Sequence, residues 1–211
     1  MSPTIPITVL AVAVAGLLVG EKRDHLALKT LTKLTASTAF LVLAWTRGAS
    51  ESTYGAAVFT ALVLSWIGDA CLLSKRDGIF KAGIFAFLLG HVAFVIAFVV
   101  LGVDLRWLAG GALGVGAIAV GIERWLYPQV EAGFQVPVRA YIVVIAVMVS
   151  LSMGSYGAGH SWLIPTGAVA FFISDITVAL ERFVGSRFVN RLLGLPLYYG
   201  AQVLLALSIG A

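Results

Sequence analysis

The sequence predicts an all-α polytopic membrane protein: one bundle of eight transmembrane helices, a single domain over residues 1–211, with both termini on the non-cytoplasmic side. Three observations carry this reading. The chain is 60% hydrophobic and only 11% charged, with a mean hydropathy of +1.02; a water-soluble domain carries about 25% charged residues. Eight apolar stretches reach the roughly 17–25 residues that a spanning helix needs. Lysine and arginine fall almost wholly in alternate connections, the mark of a chain threaded back and forth across a bilayer.

The eight spans are expected at residues 4–20, 26–45, 56–74, 79–101, 107–123, 138–157, 162–181 and 192–210. The first, in "MSPTIPITVLAVAVAGLLVG", has no basic residue before its apolar run, and its charges come afterwards in "EKRDH". A cleaved signal peptide has the reverse order, so this segment reads as a helix of the bundle. The fifth, "WLAGGALGVGAIAVGIERW", is rich in glycine. Small residues let helices approach closely in lipid, so it is expected to pack among its neighbours. Between the fifth and sixth spans, Arg124–Pro137 reads as a turn holding two prolines. An open sheet is excluded at this depth, because backbone groups in hydrocarbon must be satisfied within closed elements.

Orientation follows from the loops. The odd connections hold Lys22, Arg23, Lys29, Lys75, Arg76, Lys81, Arg124, Arg139, Arg182, Arg187 and Arg191, whereas the even ones hold only Arg47 and Arg106. Eleven against two places the odd loops in the cytoplasm. The net charge of +4 is therefore a topology signal, and no nucleic acid partner is expected.

With direction set, the depth of each polar group in the membrane follows. Asp69 lies near the cytoplasmic end of the third span and Asp175 near that of the seventh, each roughly 8–10 Å below the boundary at 1.5 Å per residue. Lys33, on the second span, and Tyr198, Tyr199 and Gln202, on the eighth, share that layer; His91 sits near the middle of the fourth. A charge at mid-bilayer costs about 2.5–3.5 kcal/mol and usually faces the bundle interior. Asp69 and Asp175 are expected to point into one polar cavity.

Each of these residues also has a structural reading. The aspartates could pair with Lys33 or cap backbone. Lys33 could snorkel to the headgroups. His91 could be a hydrogen-bonded packing residue, and the tyrosines part of an interfacial aromatic belt. Cys71 and the methionines read as packing, and Gly68 as a close-approach residue. The single cysteine excludes an internal disulfide. No G-x-S-x-G elbow supports serine hydrolysis. With one histidine and two aspartates at depth, no metal and no cofactor is expected. Intramembrane Asp and Lys also build the proton relays of transporters, so a proton-coupled carrier of small molecules or lipids is the alternative. The lack of repeat halves and the gathering of polar groups on one side favour a one-sided site instead.

Four segments carry a resemblance. "LSWIGDACLL", "KAGIFAFLLGHVAFVIAF", "GAVAFFISDITVALERF" and "LPLYYGAQVLLALS" are similar to the successive signatures of the YhhN family of integral membrane lysoplasmalogenases. These are a small-residue "GD" helix, a G-x-x-x-F-x-x-x-H helix, an F-x-x-S-D helix and a P-x-Y-x-x-x-Q helix. Lys33, in "LTKLTAST", resembles the family's lysine more loosely. The likeness runs from about residue 29 to residue 211, and Trp66 and Cys71 beside the "GD" depart from it.

The resemblance implies a hydrolase that cleaves the vinyl ether bond of lysoplasmalogens, releasing a fatty aldehyde and glycerophosphoethanolamine or glycerophosphocholine. Its partners would be a lysophospholipid substrate and the lipids of the cell membrane, with the active site in the cytoplasmic half. The family's catalytic aspartates fall on Asp69 and Asp175, leaving Lys33, His91, Tyr198, Tyr199 and Gln202 to bind substrate and water. Two carboxyls suit the chemistry. A vinyl ether resists base and yields to acid: protonation of the alkenyl carbon distal to oxygen gives an oxocarbenium ion, which water captures. One group must supply that proton, and another must stabilise the cation and deprotonate the water.

Overall fold

A computed structural model describes residues 2–74 and 76–211; Lys75, one of the eleven basic loop residues, lies outside them. The helices are α1 (Thr4–Lys22), α2 (Leu26–Thr46), α3 (Thr53–Cys71), α4 (Asp77–Leu101), α5 (Leu105–Leu126), α6 (Ala132–Gly157), α7 (Leu163–Ala179) and α8 (Phe188–Leu207). Short 3₁₀ turns follow α5 and α8, at Tyr127–Gln129 and Ser208–Gly210, and a π-helical turn, Leu180–Val184, continues α7. All eight are long and apolar enough to cross a bilayer.

Chain neighbours form hairpins: α1 with α2, α3 with α4, α5 with α6, α7 with α8. The long-range seams are α4 on α6 and α8 on α1, α2 and α3. Both the α4–α6 seam and the contacts of α8 thus tie the first half of the chain to the second. Buried side chains recur at helical spacing, as in Leu10, Ala13, Val14 and Leu17 of α1, or Val58, Ala61, Leu62 and Ser65 of α3. The centre is aromatic: Phe40, Phe94, Phe98, Phe171 and Tyr199 are almost fully enclosed.

Local chemistry sets the ends. Ser52 accepts from the Gly55 N–H to start α3, and Asp104 accepts from the Arg106 and Trp107 N–H groups to start α5. Such side-chain acceptors satisfy orphan donors of the first turn. At the end of the bundle shared by these caps, the connections turn through Gly48, Gly102 and Gly159, with φ of 87°, 99° and 96°, a region that glycine enters without steric cost.

Two expectations are corrected. α5 is not packed among several neighbours; it lies at the periphery and packs mainly against α6. Gly110, Gly114, Gly116 and Gly121 face open space, and only Gly111 makes a close approach, to Met153 and Ser150. The small residues that matter at this seam belong largely to α6, where Gly154 receives Val103 and Leu108 and Gly157 receives Trp107. Nor is Arg124–Pro137 a turn. Helix continues to Leu126 and resumes at Ala132, so Pro137 sits inside α6. Six residues into the helix, it leaves the Gly133 carbonyl oxygen without its intrahelical donor.

The α3–α4 seam is closely packed near the layer of polar groups. A Cβ on Gly90 would meet the Ala61 carbonyl oxygen at 3.2 Å, and one on Gly68 would lie 2.5 Å from the Phe87 ring. Gly68 is therefore a seat for that ring, next to Asp69. Gly68→Ala should overpack the seam at a cost of about 1–3 kcal/mol. The expected outcome is a lower midpoint in thermal unfolding of the detergent-solubilised protein; an unchanged midpoint would show that Phe87 moves aside freely.

Candidate functional site

A cavity of about 850 Å³ opens within one end of the bundle, a size in the upper range for small-molecule sites. That end collects the C-termini of α1, α3, α5 and α7 and the N-termini of α2, α4, α6 and α8. Asp69 from α3 and Asp175 from α7 both line the cavity, with Lys33, Tyr141 and Tyr198. Depth in the sequence places these residues in one layer; packing brings them to one cavity.

Asp69 is almost fully enclosed, its side chain 2% exposed. Three donors surround it. The Ser37 hydroxyl lies 2.6 Å and the Tyr198 hydroxyl 2.7 Å from Oδ2, and Lys33 Nζ lies 3.3 Å from Oδ1. Ser37 Oγ also stands 3.0 Å from the Lys33 carbonyl oxygen and 3.2 Å from the Tyr199 hydroxyl. A serine hydroxyl has one hydrogen, and a carboxylate is the stronger acceptor, so that hydrogen goes to Asp69. Tyr199 then donates to the Lys33 carbonyl oxygen at 3.3 Å. Every partner of Asp69 can donate, which is the set a carboxylate anion needs.

Asp175 has a different setting. It is 19% exposed and accepts from the Tyr141 hydroxyl at 2.9 Å. Its Oδ2 stands 3.4 Å from His91 Nε2. His91 Nδ1 lies 2.7 Å from the Phe87 carbonyl oxygen. A carbonyl only accepts, so Nδ1 carries a hydrogen. At 3.4 Å Nε2 and Oδ2 are near neighbours with no hydrogen bond formed between them among the described residues; two bare acceptors would repel, and the contact becomes favourable when one proton lies on the ring or on the carboxyl.

No hydrogen bond joins the two carboxyls among the described residues. An aromatic wall stands between their networks instead. Phe171 meets the Tyr198 ring at 5.4 Å and the His91 ring at 4.6 Å, both edge to face; Tyr141 meets His91 at 5.0 Å and Phe87 meets Tyr198 at 5.8 Å. These are favourable aromatic geometries. They also explain the motif spacings. Phe87 and His91 present ring and imidazole one turn apart on α4, Phe171 precedes Asp175 by one turn on α7, and Tyr198 precedes Gln202 by one turn on α8.

The sequence-predicted residues divide into two groups. Lys33, Asp69, Asp175 and Tyr198 line the cavity; His91, Tyr199 and Gln202 do not, being buried behind its wall. Gln202 is fully enclosed, and neither of its amide atoms has a hydrogen-bond partner among the described residues. Trp66 donates to Thr38 and Cys71 is half-buried; neither borders the cavity. Two side chains escaped the sequence reading, Ser37 and Tyr141. Ser37 follows Lys33 by one turn in "LTKLTAST", on the same helix face, and Tyr141 sits at the depth of Asp175 on the sixth span; both signals were present.

A second set of missed residues borders the cavity towards the loops. Lys29 Nζ pairs with Glu21 at 3.2 Å and with Asp24 at 2.6 Å; Arg191 pairs with Glu21 at 3.0 Å and with Glu181 at 2.5 Å. Glu181 belongs to the π turn, and its oxygens also accept from Ser186, from the Arg187 N–H and from Asn190. Wide turns of this kind occur often at functional sites; this one carries Glu181 to the cavity rim.

The family model of the YhhN family matches residues 28–209. Lysoplasmalogenase TMEM86A of Bos taurus is 35% identical over 158 residues, 72% of this chain and 64% of the relative. The Homo sapiens protein of that name is 33% identical over 157 residues, with the same shares. Lysoplasmalogenase TMEM86B of Mus musculus is 36% identical over 149 residues, 70% of this chain and 61% of the relative. The chain thus spans a little under two thirds of each relative's length. No solved structure matches it. A match across nearly all the chain, with relatives 33–36% identical, makes this protein a member of the YhhN family.

Proposed function

We propose that the protein is a lysoplasmalogenase, hydrolysing the vinyl ether bond of a single-chain alkenyl glycerophospholipid by acid–base catalysis from Asp69 and Asp175. The observation that carries this reading is the entry of two carboxyls from separate helices, in unlike surroundings, into one cavity at one end of an apolar bundle. The relatives' name, lysoplasmalogenase, supports it.

The unlike surroundings divide the labour. Asp175 and His91 together hold a proton, and Asp175 has the cavity exposure to deliver it. It passes to the distal alkenyl carbon; the C=C π pair forms the new C–H bond, and the oxygen lone pair forms the oxocarbenium ion. Asp69, ringed by Ser37, Tyr198 and Lys33, presents a carboxylate that stabilises this cation and takes a proton from the attacking water. The hemiacetal then collapses, the C–O bond to glycerol breaks, and aldehyde and glycerophospho-alcohol leave. In that collapse Asp69 gives its proton to the departing glycerol oxygen and the hemiacetal hydroxyl gives its proton to Asp175 beside His91, which restores both carboxyls. The charge bias of the loops supports entry from the cytoplasmic leaflet, with the headgroup held at the cavity mouth.

Purified protein incubated with lysoplasmalogen, its saturated ether and its ester analogue, and scored for aldehyde by mass spectrometry, should cleave the vinyl ether alone. Asp69→Asn and Asp175→Asn should each lower kcat by about 10²–10⁴-fold in protein that stays folded; full turnover by either ends the two-carboxyl mechanism.

The division of labour is tested separately. Slow proton transfer to carbon predicts a solvent deuterium isotope effect on kcat. His91→Asn should lower kcat by about tenfold or more with little change in KM, since the ring touches Asp175 and not the cavity. A KM effect without a kcat effect would return His91 to a packing role.

A further inference from the structure

The rim of the cavity towards the loops carries charges that the reaction does not use. Glu21 from α1, Lys29 from α2, Glu181 from the π turn and Arg191 from α8 all line it. They form one chain of contacts, Lys29–Glu21–Arg191–Glu181. Exposure of these side chains runs only from 13% for Lys29 to 33% for Arg191, so each has given up much of its hydration. Ion pairs seldom repay such desolvation by their own attraction. Here the charges border an open cavity, where a ligand can meet them.

The signs alternate. A site for a bare phosphate needs only bases, and one for an ammonium only acids and rings; this rim offers both, Asp24 and Arg182 bordering the cavity as well. A zwitterion with phosphate and ammonium a few bonds apart matches that order.

The depths match too. Arg191 stands seven residues before Tyr198 on α8, and Glu181 six residues after Asp175, so the rim lies about 9–10.5 Å along the helix axes from the two carboxyl networks. In a lysoplasmalogen six bonds separate the vinyl ether carbon on oxygen from phosphorus, and four more lead to the amine. With bonds of about 1.5 Å, in zigzag, the phosphate falls roughly 7–8 Å and the nitrogen roughly 12 Å from the reacting carbon. With that carbon between Asp69 and Asp175, the phosphate reaches the level of Lys29 and Arg191, and the ammonium turns among the rim acids.

We infer that Glu21, Lys29, Glu181 and Arg191 form a subsite for a zwitterionic phospho-headgroup, in which Lys29 and Arg191 exchange their carboxylate partners for the phosphate and Glu21 and Glu181 take the ammonium. The subsite rests on the lipid-hydrolase reading, since it measures headgroup position from the reacting bond. Lys33 stays with Asp69. Headgroup binding opens the Lys29–Glu21–Arg191 chain and re-forms it through the ligand.

The test is binding of uncleavable lipids, so it is independent of turnover. Dissociation constants are measured in detergent for 1-alkyl-glycerophosphoethanolamine, for 1-alkylglycerol and for 1-alkylglycerol phosphate. Wild-type protein should bind the first more tightly than the second by about tenfold or more, the worth of hydrogen bonds to charged groups. Arg191→Gln should erase that preference. Glu21→Gln should erase the preference for the phosphoethanolamine lipid over the phosphate lipid. Should either variant fail to fold, Lys29→Gln and the wild-type ratios still decide. Equal affinity for all three lipids, or variants that weaken all three alike as a purely structural clasp would, overturns the inference. Wild-type protein that shows the headgroup preference yet releases no aldehyde would instead count against the vinyl ether mechanism alone.

Discussion

The structure depends on one constraint: a carboxyl inside a bilayer must find its partners within the protein. Hydrocarbon offers nothing to satisfy it, and an unpaired charge is expensive. Asp69 meets the constraint with a hydroxyl and an ammonium from α2 and a phenol from α8. Those contacts join α2, α3 and α8, so the demand of a single side chain fixes how three helices stand. Asp175 does the same for α4, α6 and α7 through His91 and Tyr141. Each half of the bundle is organised around one acid, and the two halves meet at Phe171 and Tyr198.

Polar seams of this kind suit a medium in which apolar packing alone confers little preference, since lipid tails are as apolar as leucine. Close-approach glycines supply the rest. Gly68 under Phe87, Gly90 against α3 and Gly194 against Thr177 let backbones come near at the level of the site. Gly110, Gly114, Gly116 and Gly121 of α5 face open space and play no such part. Composition alone does not separate the two uses, because what matters is the helix each glycine faces.

That distinction marks where the sequence was legible. Number and approximate limits of the spans follow from hydropathy, a property of each segment taken alone. The shared depth of Asp69, Asp175, Lys33 and Tyr198 follows from counting residues along each span. Azimuth does not: whether His91, Tyr199 or Gln202 borders the cavity or stands behind its wall depends on how each helix is turned. The rim charges were hidden for another reason. Glu21, Lys29, Glu181 and Arg191 sit in segments where charge is ordinary, so they read as loop residues marking orientation. Only their convergence from four elements distinguishes them, and convergence is a tertiary fact. Pro137 misled in the same way, its local meaning overridden by the helix around it.

The adjacent tyrosines of α8 have a mechanical consequence. Successive residues on a helix project about 100° apart. Tyr198 reaches Asp69 while Tyr199 reaches Ser37 and the Lys33 carbonyl oxygen, so neighbouring side chains grip two helices at different bearings. A helix held at one bearing can roll about its long axis; held at two, it is indexed like a keyed shaft. Any twist that relaxes one phenol must strain the other, and the angular setting of the final helix is thereby locked to the acid it serves.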